Sequence, residues 1–262
     1  MATDLQSRDN LLLVTSPIPD PRSTLLLNSY LDADRLIGFV QPTVWSDRGL
    51  DTARAALEAA HAALTQARYL ADLSTPHRLQ RAISAANDCV IAANRSRSGH
   101  EHEARIGVGI ALCLRTGRSA TIALIPPVQL LLFQGGSPTW YPRLESWTAS
   151  DAGLSGSPLG WAPNAQSTFV TTIVEHGDEV LLTTGPVGAA LARRNAPLKS
   201  APDACDQIAL ISEGVDPMEI VALSTRFEPA SLGGSIRTAT NQVIGHVDRR
   251  ARAVWSALRT PA

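Results

Sequence analysis

Few residues in this chain have the type and spacing that chemistry needs. His100-Glu101-His102-Glu103 puts two imidazoles and two carboxylates within four positions, a donor set that suits a divalent metal. The run lies in the polar stretch RSRSGHEHEAR between two patterned segments, so it reads as a solvated connection. Asp178 and Glu179, after His176-Gly177, are hard oxygen donors of the kind Mg²⁺ and Mn²⁺ require. Cys89, Cys113 and Cys205 are far apart and lack the C-x-x-C spacing of redox or zinc sites. Cys113 falls in an apolar run and reads as an inert core thiol. His61 and His246 each sit alone in a helical pattern and read as structural or solvated. The dinucleotide, P-loop, H-E-x-x-H and G-x-S-x-G signatures are all missing, and GLSGS at 153–157 has its second glycine in the wrong place. An amino-terminal-nucleophile hydrolase would need Thr3 freed at the chain start, with no strand beginning there.

The elements that would position such residues run in the order strands, helices, strands, helix. Residues 11–15 (LLLVT), 24–31 and 36–40 read as strands bounded by Pro, Asp or Asn. From about Arg48 the apolar period lengthens: Leu50, Ala53, Leu57, Ala60, Leu64 and Ala67 form one helical stripe. A second helix is predicted from Thr75-Pro76, with Thr75 as cap and Pro76 at the first helical position. Leu79, Ile83, Ala86 and Val90 line its inner face. Strands follow at 105–115, 119–124 and 128–133, separated by TGR and IPP. Residues 147–167 read as a long irregular loop rich in Gly, Ser and Pro. Strands at 168–174 and 179–183, short helices at 187–194 and 204–214, and a strand at 219–227 come next. A last helix is predicted over 235–258, with Ile236, Val243, Val247, Ala251, Val254 and Leu258 on one face. Sheets and amphipathic helices must bury their apolar faces, and the simplest closure is two antiparallel sheets face to face with helices outside. The expected fold class is thus α+β, an αββα sandwich with an extra C-terminal helix.

Composition narrows the partners. Of 262 residues, 44% are apolar and 23 Lys+Arg balance 24 Asp+Glu, so the chain can bury a core and is not disordered. A strongly basic nucleic-acid binder is excluded on the same balance. No apolar run approaches the roughly 18 residues of a membrane span, and MATDLQSRDNLLLV is not a signal peptide. With three unpaired cysteines the expected setting is the cytoplasm.

The order of elements resembles the metal-dependent protein serine/threonine phosphatases of the PPM (protein phosphatase 2C) type. The resemblance covers 10–227 and is carried by RLIGFVQPT before the first helix, SAANDCVIAAN with Asn87 in the second, IGVGIALCL, ATIALIPPVQLLLFQGG, HGDEVLLTTGPVGAAL and VDPMEIVALSTRF. It implies an αββα sandwich over 10–227 and a helical extension over 228–262, packed on that domain or on a partner. In the family, carboxylates at four such places hold two divalent metals. Here Gln41-Pro42, Pro126-Pro127 and Gly185-Pro186 stand at three of them, and Asp216 alone keeps a carboxylate. Arg22 is a loose match to the phosphate-binding arginine.

Gln offers one neutral oxygen, and Pro and Gly offer no side-chain ligand, so one carboxylate cannot hold two hydrated dications. Removing unmetallated carboxylates also removes mutual repulsion. The resemblance therefore implies a pseudophosphatase: a binding, regulatory or scaffold module with no metal. The alternatives are an active phosphatase with unconventional ligands, using Mg²⁺ or Mn²⁺, and the amino-terminal-nucleophile hydrolase. Trp140, Trp147 and Trp161 beside the irregular loop are candidate protein-partner anchors. Arg249 and Arg250 mark the C-terminal helix as a candidate docking or self-association surface.

Overall fold

Strand residues i and i+2 share a face, so a strand buried on both sides is apolar at nearly every position. Val108–Thr116 (VGIALCLRT) and Gln129–Gln134 (QLLLFQ) are such strands, and each becomes a central member of a sheet. The computed structural model describes residues 11–15, 25–31, 34–67, 73–96, 105–142, 157–194, 197–210 and 221–227. In order the elements are β1 (Leu11–Thr15), β2 (Leu26–Leu31), β3 (Asp34–Pro42), α1 (Asp47–Ala67), α2 (Thr75–Arg95), β4 (Val108–Thr116) and β5 (Ser119–Ile125). Then come β6 (Gln129–Gln134), β7 (Ser137–Tyr141), β8 (Thr168–Ile173), β9 (Glu179–Thr183), α3 (Gly185–Arg194), α4 (Ala201–Ala209) and β10 (Val221–Arg226).

Two five-stranded sheets form, β2-β3-β4-β5-β8 and β1-β10-β9-β6-β7. Their described pairings are all antiparallel. Alternation then sorts the core into three layers. Leu36, Val40, Ile110, Leu112 and Leu114 face α1 and α2, against Leu57, Leu64, Ile83 and Val90. The intervening Ile37, Phe39, Ala111 and Cys113 face the other sheet, against Leu130, Leu132, Val180 and Leu182. On the far side Leu131, Phe133 and Leu181 meet Val187 and Leu191 of α3 and Ala204 and Ile208 of α4. The result is the expected αββα sandwich. No helix among the described residues is long and apolar enough to cross a membrane.

Two local readings change. Ser74, not Thr75, is the N-cap of α2, with extended backbone (φ −63, ψ 155). Its Oγ turns to His77 Nδ1 at 2.7 Å and makes no cap bond to the backbone. The strand β7 was not anticipated, because Ser137–Tyr141 (SPTWY) contains a proline and no apolar alternation. Its signal was the turn before it: Gly135 and Gly136 both have positive φ (60 and 78), which a two-residue hairpin needs. The predicted helix over 235–258 lies outside the described residues, as do Arg22 and the His100–Glu103 run.

Candidate functional site

At one end of the space between the sheets, β3, β4, the β5–β6 turn and the start of α3 converge. Gln41 is two residues beyond Phe39, so it points between the sheets; it is 4% exposed. Its Oε1 accepts a hydrogen bond from the Gly185 backbone N–H at 2.8 Å. Gly185 opens α3, and the first N–H groups of a helix have no intrahelical acceptor. Gln41 therefore supplies that acceptor from the opposite sheet. Directly across the ladder from Gln41 stands Gly109 of β4. A Cβ there would lie 2.6 Å from Pro127 Cδ and 2.7 Å from Pro127 N, so the Pro126-Pro127 turn rests on bare glycine. Pro42 pairs with Val108 next to this place, and Pro186 is the second residue of α3.

The structure thus brings Gln41, Pro126, Pro127 and Gly185 to one cleft end, while Asp216 lies outside the described residues. Their donor set does not fit a two-metal centre. The one side-chain oxygen is committed to Gly185, the prolines have none, and a helix N-terminus carries partial positive charge that opposes a cation. No three His, Cys, Asp or Glu side chains among the described residues lie close enough to hold a metal.

The alternative carboxylates are placed elsewhere. Glu179 opens β9 and Thr183 ends it, so Glu179 is about 13 Å from the cleft end of that strand. Glu179 Oε1 accepts from Arg226 Nε (3.0 Å) and Nη2 (2.7 Å), and Oε2 accepts from the Ala201 N–H at 2.7 Å. Asp178 Oδ2 accepts from Gln134 Nε2 and from the Glu175 N–H, both at 2.9 Å. Both carboxylates are thus taken up by the framework. His61 on α1 meets Ser29 Oγ at 3.3 Å, and burial lowers its pKa, as befits a neutral packing residue. Burial pushes the Cys113 thiol up to about 12, so it is inert. Burial, then the charge of Glu58, raises Cys89.

Asn87 holds one flank of the cleft end. Its Oδ1 accepts from the Gly160 N–H at 2.8 Å, and its Nδ2 donates to the carbonyls of Ala162 and Pro163 at 3.0 Å each. The segment after Ser157 is also bridged to β4 through Val108 and Leu159. Gly160 adopts φ +87 there, and a Cβ would collide with Val90. Trp161 rides on this pinned segment at 42% exposure, whereas Trp140 is half-buried against the α3–α4 layer. Trp147, Arg249 and Arg250 lie outside the described residues.

Sequence reasoning placed Gln129 just after the Pro126-Pro127 turn and gave it no role. It is fully buried under α3, and among the described residues neither of its amide atoms has a partner, nor does Thr183 Oγ1 opposite it in the ladder. Gly188 makes this possible, since any Cβ there would overlap Gln129 Oε1. A buried amide without partners costs about 1–3 kcal/mol. Gln129→Met keeps the volume and removes the polar atoms, so denaturant unfolding should show a gain of about 1–2 kcal/mol; a loss would mean the amide is satisfied in solution.

No family model and no curated protein sequence matches the chain. Solved structures do match. A serine/threonine phosphatase of Staphylococcus aureus superposes with TM-score 0.58 at 10% identity, over 86% of this chain and 97% of that one. The serine/threonine phosphatase PstP of Mycobacterium tuberculosis gives TM-score 0.53 at 16% identity, over 84% and 99%. A PPM Ser-Thr phosphatase of Mycobacterium smegmatis gives 0.54 at 11%, over 85% and 98%. The chain has the PPM-type phosphatase fold. Within that fold, the cleft end built by Gln41, Gly109, Pro127 and Gly185 is closed by a neutral amide and a proline turn.

Proposed function

We propose that this PPM-fold chain is a pseudophosphatase, a non-catalytic module that binds a protein partner. The observation that carries the reading is the Gln41–Gly185 hydrogen bond, which commits the side-chain oxygen that Gln41 brings to the cleft end. Metal-dependent phosphoryl chemistry needs carboxylates to hold the ions that activate water and clamp the phosphoryl oxygens. One solved neighbour, the catalytic domain of PstP (TM-score 0.55, 16% identity), is in complex with two manganese ions. The places that the resemblance assigns to the metal ligands carry, in this chain, an amide, a proline pair and a helix N-terminus. Trp161, held at the surface by the segment Asn87 pins, is the described aromatic best placed to meet a partner.

Calorimetric titration of the EDTA-treated full chain with Mn²⁺ and with Mg²⁺ tests the reading. The expected result is no binding heat from a folded protein and no hydrolysis of a phosphopeptide. Saturable binding at a stoichiometry near two, with metal-dependent turnover, would overturn it in favour of an active enzyme.

A further inference from the structure

Among the described residues, one edge of the sheet covered by α1 and α2 is bare. β8 is its last strand, and among the described residues nothing pairs with its outer side. Val170 turns inward between the sheets. Phe169, Thr171 and Ile173 share the opposite face, with Phe169 36% and Ile173 66% exposed. Natural sheets guard such edges with charge, proline, a bulge or a cover. Thr168–Ile173 (TFVTTI) carries no charge and no proline and pairs with β5 one to one without a bulge, which leaves a cover.

The chain itself leaves the described structure beside this strand. Phe227, just after β10, donates its N–H to the Asp178 carbonyl at 2.8 Å and accepts from the Gly177 N–H at 3.0 Å. That turn begins three residues beyond Ile173, and the Val174 N–H holds it to the Arg118 carbonyl at 2.8 Å. Phe227, the last described residue, therefore stands beside the C-terminal end of β8. Within residues 228–262, Ile236, Val243, Val247, Val254 and Leu258 recur at helical spacing and need an apolar surface. The link 228–234 spans up to about 23 Å. A helix over 235–258 is about 36 Å long, against about 20 Å for β8.

We propose that the segment 235–258 folds back in cis as a cover on the β8 edge, its apolar stripe on Phe169 and Ile173. This inference is independent of the non-catalytic reading. The test is the full-length protein with photoreactive benzoylphenylalanine in place of Ile173, irradiated and mapped by mass spectrometry. The expected result is an intramolecular cross-link into 235–258 whose yield is unchanged on dilution. A cross-link between two copies, a cross-link to 143–156 instead, or none to 235–258 overturns the proposal. As a second measurement, full-length protein with Val247→Glu and Val254→Glu should exchange the amides of 168–173 about tenfold faster or more, with β4 and β9 unchanged. Unchanged exchange in β8 overturns it too.

Discussion

Replacing Asn87 with alanine is expected to cost about 3 kcal/mol of stability, at about 1 kcal/mol for each hydrogen bond lost. The side chain is 2% exposed and makes three bonds to one segment, at Gly160, Ala162 and Pro163. Its loss leaves the buried Gly160 N–H without its acceptor and the part-buried bonds to the Ala162 and Pro163 carbonyls without their donor. The change should also release Trp161 from α2. Denaturant unfolding gives the first number, and hydrogen exchange over 158–164 together with a red shift in tryptophan emission gives the second. A cost under 1 kcal/mol with unchanged emission would show that the Val108–Leu159 bridge holds the segment alone.

The second large effect is at Glu179. Its carboxylate is a three-way tie among β9, the Arg226 guanidinium of β10 and the first N–H of α4. The Glu179 side chain is 7% exposed, so removing it strips partners from a nearly buried junction. Breaking a fully buried pair costs about 3–5 kcal/mol. The Arg226 side chain is 46% exposed and water recovers part of its loss, so about 3 kcal/mol is expected for Glu179→Ala. In a double-mutant cycle, Arg226→Ala added to Glu179→Ala should cost little more, because the bond is already gone. Full additivity would mean the two side chains act separately.

The elements were largely readable, for physical reasons that differ along the chain. β4 and β6 announce themselves because both their faces are buried, and α1 and α2 because one face is. β7 hid because its partly exposed face gives no alternation, and only the Gly135-Gly136 pair betrayed its hairpin. The cleft was legible only as far as local sequence reaches. The order of segments located Gln41, Pro127 and Gly185, but the bond joining Gln41 to Gly185 spans 144 positions. No pattern of neighbours encodes such a contact. Asn87 stood out by its place on α2, yet its three partners lie on a segment that sequence reading left irregular. The burial of Gln129 was hidden for the opposite reason: a strand reading over 128–133 does not say what lies above the amide, and only the bare Gly188 shows that it is sealed in.

The Gly109 contact makes the cleft hard to turn back. An acidic side chain at position 127 alone would stand by bare Gly109, across the ladder from a Gln41 whose oxygen is already held by Gly185. An acidic side chain at position 41 alone would be welcomed by the α3 N-terminus as a capping anion, and would have little reason to seek a cation. Each single acidic substitution is therefore absorbed by the present packing. Installing a metal centre at this cleft would demand changes at Gln41, Pro127 and Gly185 together.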